Sequence, residues 1–392
     1  MNLILFDDPV IRLNLLPFTF TRPTSKVRVG ILTIAEKWEK RLSVKAYYKT
    51  EEYLQKKFTL HSTDQNLLVN GAVCPDERLT EAVRTLSPGS FLVKGALLIA
   101  ANKPGQPMSS FNTVEYPGEV TVIDKTWKIF QENANQIKSD FKLITAGRTS
   151  AGITDKHTVV YGEENLFVEE GVNIKAATIN AETGPIYLGK NSIVQEGAII
   201  RGSFALCEGA HLSMGAKMRG DTTVGPFSKV GGEVSQSVIF GYSNKAHDGF
   251  MGCSVLGEWC NLGADTNTSN LKNNYEAVKL WNHNLQEFES TGLQFCGLMM
   301  GDHSKCGINT MFNTGTVVDV ACNVFGDGFQ RSYIPSFAWG GGKGFITHRP
   351  DKALETAHKV MERRSAVLDE TEKAILIKVF EMTVPMRSWE AK

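Results

Sequence analysis

Residues 188–212 read LGKNSIVQEGAIIRGSFALCEGAHL, and an aliphatic residue returns at every sixth position of this stretch. A helical face would place apolar residues at i, i+3, i+4 and i+7, and a strand would alternate them, so neither explains a period of six. A six-residue apolar repeat is typical of a parallel β-helix, in which each repeat forms one flat side of a triangular coil. The period is carried by Leu188, Val194, Ile200, Leu206, Leu212, Met218, Val224 and Val230.

The same apolar ladder continues on both sides of this stretch. Upstream it includes Val168 and Ile174; downstream it is carried by Phe250, Leu256, Leu262, Met300, Cys306, Phe312, Val318 and Val324. An Asn-rich segment at 267–297 interrupts the ladder, and insertions in solenoids fall in loops on one face, often the binding face. We therefore predict a long loop at 267–297, with a short strand at 277–281.

The remaining sequence divides the chain into four predicted regions. Residues 1–145 form an α/β domain, because short apolar runs such as 3–6 and 67–69 accompany a helical pattern at 76–86. Residues 146–165 are small and polar and are predicted to be a linker. The β-helix occupies 166–345 and ends at the glycine run 340–344. Residues 346–392 form a C-terminal helical segment, with one α-helix at 351–380 that covers the open end of the solenoid or packs on a neighbouring subunit.

Composition excludes several classes of protein. Lys+Arg and Asp+Glu number 42 each among 392 residues, so no basic field indicates a nucleic-acid partner. No apolar run approaches the roughly 18–20 residues that span a membrane, and the first residues lack the pattern of a signal peptide. The seven cysteines contain no C-x-x-C pair, which favours reduced thiols over a disulfide framework or zinc site. We expect a cytoplasmic protein that binds neither nucleic acid nor membrane.

Several motifs resemble a known enzyme family. Lys245-Ala246-His247, Phe250-Met251-Gly252, Asn261-Leu262-Gly263-Ala264 and Ser269-Asn270 are similar to the acetyltransferase core of the bifunctional glucosamine-1-phosphate N-acetyltransferase/N-acetylglucosamine-1-phosphate uridylyltransferase family. The run 16–23 (LPFTFTRP) resembles the opening of sugar-nucleotide transferases. As a whole the chain resembles an alternative bacterial form of this bifunctional enzyme. The resemblance implies a nucleotidyltransferase-like α/β domain followed by a left-handed parallel β-helix.

The resemblance also implies roles for individual residues of the acetyltransferase site. Acetyl transfer to a sugar amine is helped by a base, and His has a pKa near neutrality that suits this role. His247 stands at the matching position; a structural His at a coil corner is the alternative. Asn261, Asn270, Lys272 and Lys279 match or neighbour positions for sugar and phosphate, and Phe250 stands where Tyr is usual. The alternatives are corner asparagines in left-handed backbone conformation and solvated loop lysines.

Acetyl-CoA would be the acetyl donor. In the family it lies in a groove between adjacent solenoids, where backbone groups of successive coils bind the pantetheine. We place it at Gly307, Asn309 and Gly315. A homotrimer is expected, because flat solenoid faces are buried by a partner and cyclic closure is the common solution.

The N-terminal domain departs from what nucleotidyl transfer needs. A Gly-rich turn after the first strand lets backbone N–H groups reach a triphosphate, but no Gly precedes Gly30. If the domain is active, Asp7 and Asp8 would hold Mg²⁺. The nucleotide would then be bound by Arg12, Arg22 and Lys26. Ordinary surface charge is the alternative reading of these three cations.

Together these features predict an acetyl-CoA-dependent N-acetyltransferase acting on a hexosamine 1-phosphate, such as glucosamine 1-phosphate. The product would enter UDP-N-acetylglucosamine and cell-wall synthesis, with uridylyl transfer as a second activity of the N-domain. Two alternatives stay open: a regulatory scaffold that binds a sugar nucleotide, and an acyltransferase for another nucleotide sugar, including lipid-A-type acceptors. A zinc hydratase is disfavoured because no two of the eight His lie five residues apart, the spacing which such a site requires.

Overall fold

A computed structural model describes residues 2–104 and 112–390. The chain divides into two compact units. The first comprises the residues up to Leu15, Thr21–Val27 and Leu32–Lys125; the second comprises Leu16–Phe20, Arg28–Ile31 and the chain from Thr126 onward. The region boundaries predicted at 145, 165 and 345 stay predictions.

The first unit is an α/β domain built on a six-stranded mixed sheet. In spatial order its strands are Ala46–Lys49, Asn2–Phe6, Gln65–Asn70, Leu97–Pro104, Ser90–Lys94 and Asn112–Glu115. The first three are parallel, so their carboxyl ends meet at one edge, where open α/β sheets bind ligands. Three helices, α1 (Pro9–Asn14), α2 (Ile34–Leu42) and α3 (Glu77–Arg84), and a pair of two-residue strands, Val73–Cys74 and Thr121–Val122, complete it.

Helix α2 shows how local sequence fixes an element that the apolar pattern did not predict. Thr33 and Glu36 form a reciprocal capping box, with the Thr33 hydroxyl accepting from the Glu36 N–H at 3.3 Å and the Glu36 carboxylate accepting from the Thr33 N–H at 2.7 Å. Trp38 on its buried face donates from Nε1 to the Val73 carbonyl at 2.8 Å. The helix ends at Ser43, whose φ of 57° is left-handed.

The second unit is a parallel β-helix. Each coil contributes one short strand to each of three parallel sheets, which we call faces 1, 2 and 3. Face 1 consists of Leu166–Val168, Ile186–Leu188, Phe204–Leu206, Thr222–Val224, Val238–Gly241, Val255–Glu258, Met299–Met300, Val317–Val318 and Tyr333–Ile334. Face 2 consists of Asn173–Ile174, Ile193–Val194, His211–Leu212, Lys229–Val230, Asn244–Lys245, Asn261–Leu262, Lys305–Cys306, Asn323–Val324, Ala338–Gly341 and Gly344–Thr347. Face 3 consists of Val159–Tyr161, Thr178–Asn180, Ile199–Arg201, Lys217–Met218, Glu233–Ser235, Phe250–Gly252, Asn267–Thr268 and Met311–Phe312.

The predicted ladder forms the interior of this β-helix. Leu188, Leu206 and Val224 follow one another in register along face 1, and each is fully buried. The eight residues that define the period from 188 to 230 all belong to one core cluster. Three short strands per coil, spaced by six residues, are the arrangement of the left-handed parallel β-helix, and the predicted fold class is confirmed.

Two details of the ladder differ from the prediction. Met251, not Phe250, faces the core: Met251 pairs with Val234 and is fully buried, while Phe250 is partly exposed. The glycine run does not end the β-sheet, since the strands Ala338–Gly341 and Gly344–Thr347 pair antiparallel around it. Glycine lacks a Cβ, so this run can turn tightly and still keep its backbone hydrogen bonds.

The Asn-rich insertion leaves the coil after Asn267–Thr268, which is still a strand of face 3, and the chain rejoins face 1 at Met299–Met300. Within it, Lys279–Asn282 pairs antiparallel with Glu287–Ser290. The predicted strand at 277–281 therefore exists, displaced by one to two residues. We call residues 269–298 the insertion.

Helices occupy both sequence flanks of the β-helix within the second unit. Helices α4 (Lys128–Gln131) and α5 (Asn133–Thr145) precede it, and α6 (Pro350–Glu362) and α7 (Glu370–Met382) follow it. The prediction of one C-terminal helix was wrong, because the chain breaks at Ser365, with φ of 54°, and Asp369 caps α7 by accepting from the Glu372 N–H at 2.8 Å. None of the helices in the described part of the chain combines the length and apolar character needed to cross a bilayer.

Candidate active site

His247 lies at the corner where the chain passes from face 2 to face 3. The corner is the short turn between the strands Asn244–Lys245 and Phe250–Gly252. His247 and Asp248 are both exposed, so the imidazole is accessible to a ligand. The backbone conformation of this turn requires glycine at position 249. Gly249 has a φ of +111°, and an added Cβ would lie 2.2 Å from the Thr266 carbonyl oxygen in the neighbouring coil.

The corner is anchored from inside by Lys245. Its Nζ donates to the carbonyl oxygens of His247 at 2.8 Å, Gly231 at 3.2 Å and Asp248 at 3.4 Å. Only 2% of the surface of Lys245 is exposed. Burial lowers the pKa of Lys245 to about 8, although Asp248 and Asp265 act in the opposite direction.

Phe250 and Asn270, both predicted to bind substrate, meet over Gly252. A Cβ placed on Gly252 would lie 2.6 Å from Asn270 Nδ2 and 2.7 Å from Phe250 Cζ, so a side chain there would displace both. The Asn270 amide also donates to Cys253 Sγ at 3.5 Å. Phe250 and Asn270 thus both approach Gly252, which lies on the strand that follows His247.

The other residues predicted to bind the sugar phosphate lie at three different places in the second unit. Asn261 lies on the outer side of face 2, in register with Asn244, which donates to its Oδ1 at 3.4 Å. Lys272 is half-buried and donates to the Ala277 carbonyl within the insertion at 3.2 Å. Lys279 is exposed on the hairpin of the insertion and is therefore available to an anionic group.

The three residues predicted to contact acetyl-CoA do not share one environment. Gly307 and exposed Asn309 belong to the face 2 to face 3 corner two coils after His247, where Asn309 has a φ of 55° and donates its N–H to the Ala264 carbonyl at 2.8 Å. Gly315 lies beneath the insertion: an added Cβ would be 2.4 Å from the Lys279 carbonyl oxygen. The N–H groups of the first two are hydrogen-bonded to neighbouring coils, and Gly315 packs against the insertion.

In the first unit the predicted Mg²⁺ ligands are engaged by protein groups. Asp7 accepts from Arg12 Nη1 at 3.1 Å, from the Thr24 N–H at 2.8 Å and from the Thr50 hydroxyl at 2.5 Å. Asp8 caps helix α1 by accepting from two backbone N–H groups at 3.0 Å. No group of three or more acidic, His or Cys side chains in residues 2–104 and 112–390 is arranged to hold a metal. These contacts do not fit a metal site built on Asp7 and Asp8.

The predicted nucleotide-binding cations are also held by neighbours. Arg12 and Arg22 are buried, and Arg12 Nη1 donates to the Arg22 carbonyl at 3.1 Å. Lys26 lies 5.1 Å above the Tyr48 ring. Burial lowers the pKa of Lys26, but Tyr48 and the carboxylates of Glu36 and Glu39 raise it above its ordinary value. Their roles in nucleotide binding stay predictions.

Sequence reasoning missed a buried polar cluster beneath the insertion. His283 Nε2 and the Tyr333 hydroxyl both lie 3.1 Å from Asp319 Oδ2. The Trp281 ring stacks on Tyr333 with the centroids 4.4 Å apart. No local motif marks this cluster, because its members are separated by up to 52 residues (333 − 281) and meet only when the coils stack.

The N-terminal part of the chain matches a known protein family. Residues 3–149 match the family model described as sugar nucleotidyl transferase. The bifunctional protein GlmU of Methanocaldococcus jannaschii is 33% identical over 90 residues, which is 23% of this chain and 21% of that protein. GlmU of Methanococcus aeolicus is 25% identical over 257 residues, covering 64% of this chain and 54% of its own length.

The chain is related in sequence to the bifunctional GlmU proteins. GlmU of Synechococcus elongatus is a further relative, at 26% identity over 198 residues, 47% of this chain and 38% of that protein. In each of these comparisons the chain spans less than two thirds of the length of its GlmU-like relative.

Solved structures were also compared. The polysialic-acid-specific acetyltransferase NeuO matches with a TM-score of 0.28 and 13% identity, covering 55% of this chain and 97% of that one. UDP-N-acetylglucosamine acyltransferase from Campylobacter jejuni matches with a TM-score of 0.23 and 13% identity, covering 58% of this chain and 95% of that one.

Proposed function

We propose that the second unit is an acetyl-CoA-dependent N-acetyltransferase that acts on a hexosamine 1-phosphate. Glucosamine 1-phosphate is the first candidate substrate. The enzyme would work in the cytoplasm, on the route to UDP-N-acetylglucosamine. The observation that carries the proposal is the exposed imidazole of His247, on the turn that leads into the strand where Phe250 and Asn270 both approach Gly252. The exposed Lys279 ammonium supplies a positive charge for the sugar phosphate. The similarity to GlmU proteins supports the same choice of substrate.

The reaction follows from the chemistry of an amine and a thioester. The neutral sugar amine attacks the thioester carbonyl carbon, a C–N bond forms, and the C–S bond breaks to release coenzyme A as a thiol. His247 accepts the proton that the amine loses, and proton transfer by a positioned side chain is worth roughly 10²–10⁴-fold in rate. Asn270 can both donate and accept hydrogen bonds without charge, which suits it to sugar hydroxyls.

Thiol release from acetyl-CoA in the presence of glucosamine 1-phosphate tests this proposal. His247→Ala should lower turnover by roughly 10²–10⁴-fold with an unchanged melting temperature. His157→Ala is the matched control, because His157 is an exposed histidine before the first coil of the same β-helix. A wild-type protein without thiol release, or a fully active His247→Ala variant, would overturn the proposal or the role of His247 respectively.

For the first unit we propose nucleotide binding, with uridylyl transfer as the second candidate activity. The match to sugar nucleotidyl transferases supports binding, while the engaged Asp7 and Arg12 favour a site that binds without catalysis. Pyrophosphate release from UTP and N-acetylglucosamine 1-phosphate with Mg²⁺ separates the two. Release would establish transfer; UTP binding by calorimetry without release would establish a regulatory site.

We further propose a homotrimer formed through the outer side of face 3. Val159, Thr178 and Ile199 follow one another in register there, and Val159 and Ile199 are 48% and 51% exposed. Exposed apolar side chains grouped on one face, here on either side of Thr178, are a common mark of a protein interface. Sedimentation equilibrium should give three times the 43.2 kDa chain mass, and Ile199→Glu should shift it toward the monomer. A wild-type monomer at micromolar concentration would contradict the trimer.

A further inference from the structure

A lysine occupies a position of the β-helix core that apolar residues fill in the neighbouring coils. Along face 2, Leu212 pairs with Val230, and Val230 pairs with Lys245. In the following coil Leu262 takes the inward position and is 2% exposed. Lys245 is buried to the same extent. A charged group in this row costs free energy unless its hydrogen bonds are satisfied.

All three hydrogen bonds of the Lys245 ammonium go to backbone carbonyls, and two of these belong to His247 and Asp248. The third belongs to Gly231, in the corner of the preceding coil. That corner is compressed: the inward residues Val230 and Val234 are four positions apart, whereas Lys245 and Met251 are six apart. The ammonium thus ties the longer His247 turn to the short turn beside it.

Core packing alone does not account for this lysine. An apolar side chain of similar volume would fill the row without the cost of desolvating a charge, and such replacements are often neutral or stabilising. What the ammonium adds is directional: it fixes two successive peptide groups of the turn that carries the exposed imidazole. Hydrogen bonds from a charged donor are stronger than neutral ones, which makes them suited to holding an exposed turn.

We infer that Lys245 is a positioning residue for His247. By holding the His247 and Asp248 carbonyls from the core, it fixes the backbone from which the imidazole projects. This role rests on the proposed function, because it predicts an effect on turnover rather than on the fold.

Lys305 provides a control of the same residue type, from the outer side of face 2. It lies on the same face, its pKa is also lowered by burial to about 8, and its Nζ donates to a backbone carbonyl, that of His303, at 2.9 Å. That carbonyl belongs to the opposite corner, between faces 1 and 2. Lys245→Met and Lys305→Met each remove a lysine that donates to a turn carbonyl, but Lys305 is half-buried on the outer side of face 2, and only Lys245→Met releases the His247 turn.

The test compares the two variants by steady-state thiol release and by amide hydrogen exchange. For Lys245→Met we expect at least a tenfold fall in kcat with KM within twofold of wild type, and faster exchange at 246–249. Lys305→Met should change neither. A Lys245→Met variant with wild-type kcat, or with unaltered exchange at 246–249, would overturn the role of Lys245. A wild-type protein that releases no thiol would instead overturn the proposed function, and the exchange data would still show whether Lys245 holds the turn.

Discussion

His283 Nε2 lies 3.1 Å from Asp319 Oδ2, and the two side chains are 1% and 0% exposed. His283 belongs to the insertion and Asp319 follows a strand of face 1, so this contact joins the insertion to the coils. The Tyr333 hydroxyl donates to the same carboxylate oxygen. The hairpin that carries Lys279 is therefore fixed by a buried polar anchor.

Removing one side of this anchor should destabilise the second unit strongly. Asp319→Ala leaves His283 Nε2 without this partner and leaves the Tyr333 hydroxyl with only Met386 Sδ, 3.3 Å away. Each buried polar group that loses its hydrogen bond costs about 1–3 kcal/mol. Urea denaturation followed by tryptophan fluorescence measures the loss. Lys279→Ala, on the exposed strand of the same hairpin, should stay within about 0.5 kcal/mol of wild type. A loss below about 1 kcal/mol for Asp319→Ala would show that the anchor contributes little.

The lowered pKa of Lys245 predicts a pH dependence of stability. Below about pH 8 the lysine is protonated in both states; between about 8 and its ordinary 10.5, the unfolded chain binds a proton that the folded chain has released. The free energy of unfolding contributed by this group therefore rises with pH in that window, by up to about 1.4 kcal/mol per pH unit.

The measurement is the difference in unfolding free energy between wild type and Lys245→Met at pH 7, 8.5 and 10. The difference should grow with pH in favour of wild type. A comparison of variants is needed because burial raises the pKa of Cys260 and Cys322 to about 12, which makes wild-type stability fall as pH rises above about 9. A difference that is constant with pH would contradict a lowered pKa for Lys245.

All seven cysteines are free and buried in the structure. A chromogenic disulfide reagent should thus modify none of them within minutes in the native protein and all seven in denaturant. Burial raises the pKa of several of these thiols, Cys253 and Cys306 among them, which lowers reactivity further. A native thiol that reacts rapidly would identify a region that opens in solution.

Asp7→Ala tests whether this carboxylate serves the fold or a metal. The Asp7 and Arg12 side chains are each 6% exposed, so loss of Asp7 leaves a buried guanidinium with a weakened set of partners. We expect a loss of about 3–5 kcal/mol, measured by thermal and urea unfolding without Mg²⁺. If Asp7 served chiefly as a metal ligand, metal-free stability would be unchanged or higher in the variant.

The sequence was sufficient to predict the β-helix, because a period of six is imposed by the coil geometry on every inward residue, such as Leu212 and Val224. It was insufficient at positions where a neighbouring residue takes the inward place, as Met251 does beside Phe250. The break between α6 and α7 was missed because apolar spacing continues across it, although Asp369 is a recognisable cap.

The candidate site was predicted less completely than the fold. His247, Phe250 and Asn270 belong to short motifs that resemble a known family, and the sequence alone singled them out. Lys245 was noted in the motif, but its inward direction follows only from register with Val230. The His283–Asp319 contact depends on an insertion folding back on coils that come later in the chain, which no local pattern reveals.

The division of the chain into units has a consequence for how such a protein can evolve. Leu16–Phe20 and Arg28–Ile31 belong to the second unit, although the residues between and around them belong to the first. No single crossover in the gene would therefore exchange one unit and leave the other whole. A recombinant joined near residue 125 would carry a second unit whose segments Leu16–Phe20 and Arg28–Ile31 come from the other parent, so exchange of a unit requires changes at several points of the gene.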